Sequence, residues 1–94
     1  MTTPVIFKRE GHDVCAFFPT LPGDMNPATM SCYAHVGQHG AADMAYVSNC
    51  RPARPHEYAD LLAELQRIGY DDLIIRRRMT RRDYETRASE LKRA

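Results

Sequence analysis

The stretch Val14-Cys15-Ala16-Phe17-Phe18 is apolar at every position. Successive side chains of an extended chain project to opposite faces, so such a strand needs at least partial cover on both sides. It therefore belongs inside a sheet and not at its rim. Just ahead of it, Pro4-Val-Ile-Phe-Lys-Arg-Glu10 reads as a second strand. Gly11-His12 between them suits a two-residue turn whose first position takes positive φ, which predicts a β-hairpin. Beyond Phe18, the segment Pro19 to Thr29 contains Pro19, Pro22, Gly23 and Pro27. Its prolines exclude a helix and argue against a long strand, so an extended loop is predicted, of a length common in binding or lid segments.

Met30 to Gly37 alternates, with Met30, Cys32, Ala34 and Val36 on one side and Ser31, Tyr33, His35 and Gly37 on the other. The first set is assigned to the core. Tyr33 and His35 are then expected on the opposite surface, away from the helix layer. The following residues, to Cys50, show no clean period and are read as a turn at His39-Gly40 and a short irregular piece. The best-marked helix is Pro55 to Tyr70, where Tyr58, Leu61, Leu62, Leu65 and Ile68 share one side, Pro55 suits the first turn and Gly69 the stop. Arg54 is a poor cap for it. Asp72 to Met79 starts as an apolar strand and ends in three arginines, which places it at an edge or leaving the core. Thr80 and Asp83 have capping-box-like spacing before a last helix with Tyr84, Ala88 and Leu91 on one stripe. Three apolar positions do not hold a helix alone, so this one docks, pairs or frays.

The expectation is a single α+β domain over residues 1–94: an antiparallel-biased sheet of about four strands with one packed helix over residues 1–79, and a basic helical extension over 80–94. No apolar run approaches the roughly 18 residues of a membrane span. Three cysteines, Cys15, Cys32 and Cys50, without C-x-x-C spacing predict free thiols in a reducing compartment. With no apolar leader in Met1 to Glu10, a cytoplasmic location is expected. The overall charge of +1 hides a polarity. Residues 76–94 carry eight basic and three acidic side chains, a net +5, against −4 for the rest. A basic end attracts an acidic partner, while an acidic body resists blanket binding to polyanions.

Three chemistries compete for the run Ser31 to Asp43. Zinc would use Cys32, His35 and His39 with Asp43 or Cys50. On a strand, however, Cys32 and His35 project from opposite faces, so no metal or cofactor is expected. Catalysis would pair Cys32 or Cys15 with a histidine base, or Tyr33 with His35, but no oxyanion hole or phosphate cradle accompanies them. The third reading is a contact surface, with Tyr33, His35, Gln38 and His39 on one patch and Arg76, Arg78, Arg81 and Arg82 on another. The arginines serve an acidic protein, nucleic acid, or the acidic body of a second copy in a homodimer.

The segments Val5 to Asp24, Ser31 to Asp43 and Arg51 to Tyr70 together resemble small bacterial, phage and mobile-element proteins that share an S-Y-x-H-x-G-Q-H-G core and a P-x-E-Y-x-x-L helix. Cys32 stands where that pattern has Ser, and Arg54 where it has Thr. The resemblance implies a setting among mobile-element accessory genes, whose small products bind host proteins, defence systems included. The function expected is binding to a host protein complex, as an inhibitor of a defence system. A nucleic-acid-binding accessory role and a metal-dependent or Cys/His enzyme are the alternatives.

Overall fold

The structure is a computed structural model that describes residues 2–34 and 38–93. The domain is α+β. In chain order its elements are β1 (Thr3–Glu10), β2 (Asp13–Pro22), β3 (Thr29–Ala34), β4 (Gln38–Asp43), α1 (Met44–Asn49), β5 (Arg51–Pro52), α2 (Pro55–Arg67), β6 (Leu73–Ile75) and α3 (Arg81–Arg93). The sheet runs β4-β3-β2-β1-β5 with antiparallel neighbours, and β6 adds to β1 in parallel. Six strands and three helices among the described residues exceed the four strands and two helices expected.

The hairpin forms as predicted. Gly11 takes a φ of 62°, a region closed to most side chains by their Cβ, and sets Ile6 against Phe17 and Phe7 against Ala16. The doubly apolar strand β2 is covered on both sides. On one face Val5, Phe7, Ala16, Phe18 and Tyr33 bury against Leu61 and Leu65 of α2. Phe7 stacks on Tyr58 with ring centroids 4.3 Å apart, and Phe18 on Tyr70 at 5.0 Å. On the other face Phe17, Met30, Ala42 and Val47 form a second cluster with Cys15, Cys32, Met44 and Met79, under α1 and the approach to α3.

Several local expectations need correction. β2 does not stop before Pro19 but continues to Pro22, absorbing both prolines through a register shift against β3 between Phe18 and Pro22. What remains of the loop is tied down. The Asp24 carboxylate accepts from the Asn26 amide and the Thr29 hydroxyl, each at 2.8 Å, and Asn26 Oδ1 accepts from the Ala28 amide at 2.9 Å. Those bonds hold the Asp24 carboxyl below its usual pKa. His39-Gly40 is not a turn: both lie in β4, Gly40 opposite Cys32 and His39 opposite Tyr33. Ile68 is half exposed because the chain turns away at Gly69, whose φ is 120°.

Gly23 marks the tightest approach. A Cβ there would lie 2.6 Å from the Met30 carbonyl oxygen and 2.7 Å from the Ala41 Cβ, both fixed in strands. Replacing Gly23 by alanine is expected to cost about 1–3 kcal/mol through overpacking, read as a lower urea midpoint at unchanged slope.

The two longer helices are capped differently. At α2 the Glu57 carboxylate accepts from the Arg54 amide at 2.8 Å and also pairs with Arg9 of β1, so the acid three residues in replaces the missing cap. At α3 the predicted box is present: the Thr80 amide donates to Asp83 Oδ2 at 2.7 Å, and the Asp83 amide donates to Thr80 Oγ1 at 3.2 Å. α3 docks across β2, but not by the Tyr84 stripe. Asp83 and Arg87 are its buried residues, Ala88 and Leu91 are intermediate, and Tyr84 is exposed. Arg87 donates from Nε to the Pro27 carbonyl at 2.9 Å, from a terminal nitrogen to the Pro19 carbonyl, and approaches the Met44 sulfur. The Tyr84 ring lies 5.4 Å from the guanidinium carbon.

Candidate functional site

The first expected patch is only partly a surface. Tyr33 is 1% exposed and faces α2, where its hydroxyl donates to the Glu64 carboxylate. Met30 and Cys32 do face a core cluster as the alternation along β3 predicts, but the Tyr33 face is covered too, by α2, so β3 is buried on both sides. A phenol can be buried where a carboxylate accepts its proton, and α2 supplies one. Gln38 and His39 are exposed on β4, the end strand of the sheet. The His39 ring meets Tyr33 edge-on at 4.7 Å, beside a shallow hollow that also touches Ile68 and Tyr70. His35 lies outside the described residues.

Cys32 alternates with Tyr33 and so faces the second cluster, away from His39. Cys15, Cys32 and Cys50 are all free thiols. Burial first, then Cys32, Cys50, Asp13 and Glu10, push the Cys15 thiol from 9.0 to about 11. Burial also raises Cys32. A thiol held protonated is a poor nucleophile and a poor metal ligand at neutral pH. Among the described residues, no three His, Cys, Asp or Glu side chains are grouped so as to hold a metal ion.

The raised Cys15 value has a consequence for stability. The folded state disfavours the thiolate, so the stabilisation is complete below pH 9 and is lost as pH rises through about 11. A Cys15→Ala variant should therefore show a flatter decline of stability between these pH values than the parent, measured by urea denaturation across the alkaline range.

The second patch is also rearranged. β6 ends at Ile75, so Arg76 and Arg78 do not share a strand face. Arg76 turns inward, its amide donating to the Val5 carbonyl at 2.9 Å and its guanidinium pairing with Asp83. Its guanidinium is thereby engaged within the fold and is not part of an open cluster with Arg78. Arg81 pairs loosely with Glu85 at 3.5 Å. Arg78 and Arg82 are exposed and carry no ion pair among the described residues.

Folding brings other cations to this edge. Arg51, in β5, and Arg54, in the turn that follows, lie at the same flank of β1 as Arg77. All three are exposed without an ion pair among the described residues. Arg54 and Arg77 line a crevice of about 430 Å³ between β5, β6 and the start of α2. Its floor is the Phe7–Tyr58 stack, and Pro52, Pro55 and Ile75 form its walls. Ile75, in the crevice wall, is 42% exposed, so the apolar lining reaches the surface there, while Ile74, the preceding residue of the strand, projects to the other face. The sequence signal was the segment Arg51-Pro-Ala-Arg-Pro55, two arginines spaced by prolines before a helix. Compared with protein-family models, curated proteins and solved structures, the chain matches none.

No helix is long and apolar enough to cross a membrane among the described residues.

Proposed function

We propose that this chain is a binding domain whose partner is a protein with an acidic surface, engaged through the flank of β1 that carries Arg51, Arg54 and Arg77. The observation that carries the reading is the grouping of these exposed cations, unpaired among the described residues, beside the apolar crevice of Phe7, Tyr58 and the exposed Ile75. Lone surface arginines are ordinary, but arginines around an apolar centre have the composition of an interface core with a polar rim. The protonated thiols speak for binding over turnover at the cysteine cluster. With the setting implied by the resemblance, the target class is a host complex such as a bacterial defence system, which the domain inhibits by occupying a charged surface. The protein acts in the cytoplasm on this reading.

The test is capture from the host with the parent chain and with an Arg54→Glu, Arg77→Glu variant. Both positions are exposed, so the variant should keep its stability within about 0.5 kcal/mol. An acidic protein retained by the parent and lost by the variant is the expected result. Equal capture by both removes the reading. Nucleic acid as the captured species, with affinity falling steeply with salt, replaces it by the polyanion alternative.

A further inference from the structure

The crevice sits where the topology makes one. β5 runs antiparallel to β1 and β6 parallel to it, both on the same flank, and their C-terminal ends meet at the middle of β1. The Ala53 amide donates to the Phe7 carbonyl at 3.0 Å, and the Arg76 amide to the Val5 carbonyl at 2.9 Å. From these adjoining points the two chains leave in opposite directions. After β5 the chain rises onto the α2 face, and after β6 it passes to the α3 face, where Met79 joins the other cluster. Chains that diverge from neighbouring strand ends leave a gap between them, the same geometry that places ligand crevices at the switch points of open sheets.

What would fill this gap is set by its chemistry. The floor is an aromatic stack whose inner ring, Phe7, is 3% exposed, and Tyr58 is intermediate. The walls are rigid and apolar. The charge is confined to the rim, on Arg54 from one side and Arg77 from the other. We infer that the crevice takes one large apolar side chain, aromatic by preference, from an extended segment whose flanking residues are Asp or Glu, so that the ring lies over Tyr58 and the carboxylates reach Arg54 and Arg77. This deepens the binding function proposed above and rests on it. Nucleic acid is disfavoured, because successive base stacking needs several open ring faces and the crevice offers one. A rim of two guanidiniums matches two carboxylates by bidentate pairing.

The experiment uses the full chain, isotopically labelled, titrated with a blocked Asp-Glu-Phe-Glu-Asp peptide and with its Phe→Ala counterpart, followed by amide chemical shifts. Shifts confined to residues 52–58 and 73–77, and binding at least tenfold weaker for the alanine peptide, are expected. Ile75→Ser and the Arg54→Glu, Arg77→Glu variant should each weaken the phenylalanine peptide by tenfold or more. Equal shifts from both peptides, or shifts at residues 33 and 38–39 instead, overturn the inference. So do amide shifts that grow with protein concentration alone, which assign the crevice to a second copy, and an oligonucleotide that perturbs the same residues more tightly. If an acidic partner is captured through the arginines but the phenylalanine peptide leaves the crevice unperturbed, the inference falls while the proposed function stands. If the peptide binds as described and no acidic partner is captured, the proposed function falls and the crevice remains.

Discussion

Replacing Arg87 by alanine should lower the stability of the domain by about 4 kcal/mol, the range seen when one member of a buried polar set is removed, and the melting temperature by roughly 20 °C for a domain of this size. Arg87 is 1% exposed and joins three separate parts of the chain: the Pro19 end of β2, the Pro27 turn and Met44 of α1. Truncation leaves the Pro19 and Pro27 carbonyls buried without their donor and a void where the side chain was. Desolvation draws the guanidinium below its usual pKa, opposed by Tyr84 and Asp83, but arginine stays charged in proteins. Arg87→Lys keeps the charge and loses the planar fork that serves two carbonyls at once. It should melt closer to the alanine variant than to the parent. A drop of less than about 1 kcal/mol for Arg87→Ala, typical of exposed sites, would show that α3 is held by other contacts.

The second large effect is expected at Asp83. Its carboxylate accepts from the Thr80 amide and pairs with Arg76, so it closes the start of α3 and neutralises a guanidinium that is mostly covered. Asp83→Ala removes a helix cap worth about 1 kcal/mol and strands a partly buried charge, for a combined loss of roughly 2–3 kcal/mol. Asp83→Asn retains an acceptor for the cap and should lose less. Because Asp83 and Arg87 stand four apart on one helix face, the double variant should lose less than the two single losses together. Thermal melts of the three variants check this. Far-ultraviolet dichroism of Asp83→Ala should show the loss falling on the last helix first.

Much of the architecture is legible in the residues. The five apolar positions of β2 demanded two covering layers, and α2 with α1 and α3 provide them. Gly11, Pro55, Gly69 and the Thr80–Asp83 pair each stand where their backbone or capping chemistry predicts. The errors share a cause. A polar side chain is read from sequence as solvent-facing, yet Tyr33 and Arg87 are buried because a carboxylate or a pair of carbonyls from distant residues meets them. β4 was hidden because Gln38 to Asp43 has small residues and mostly exposed side chains, so its strand character comes from pairing with β3 and not from its own composition. The arginine patch was misplaced for a related reason. Arg76 is drawn inward by Asp83, while Arg51 and Arg54, some twenty residues earlier, reach the same edge through β1.

That shared flank of β1 also dictates an order of events during synthesis. The hairpin of β1 and β2 can close as soon as residue 22 has left the ribosome, but the opposite flank of β1 waits for residues 51–53 and then 73–76 before its amides and carbonyls are covered. At about 5–20 residues per second this leaves several seconds in which a nascent apolar strand presents an open rim. Until β5 and β6 arrive, that rim is a template on which a second nascent chain could add a strand.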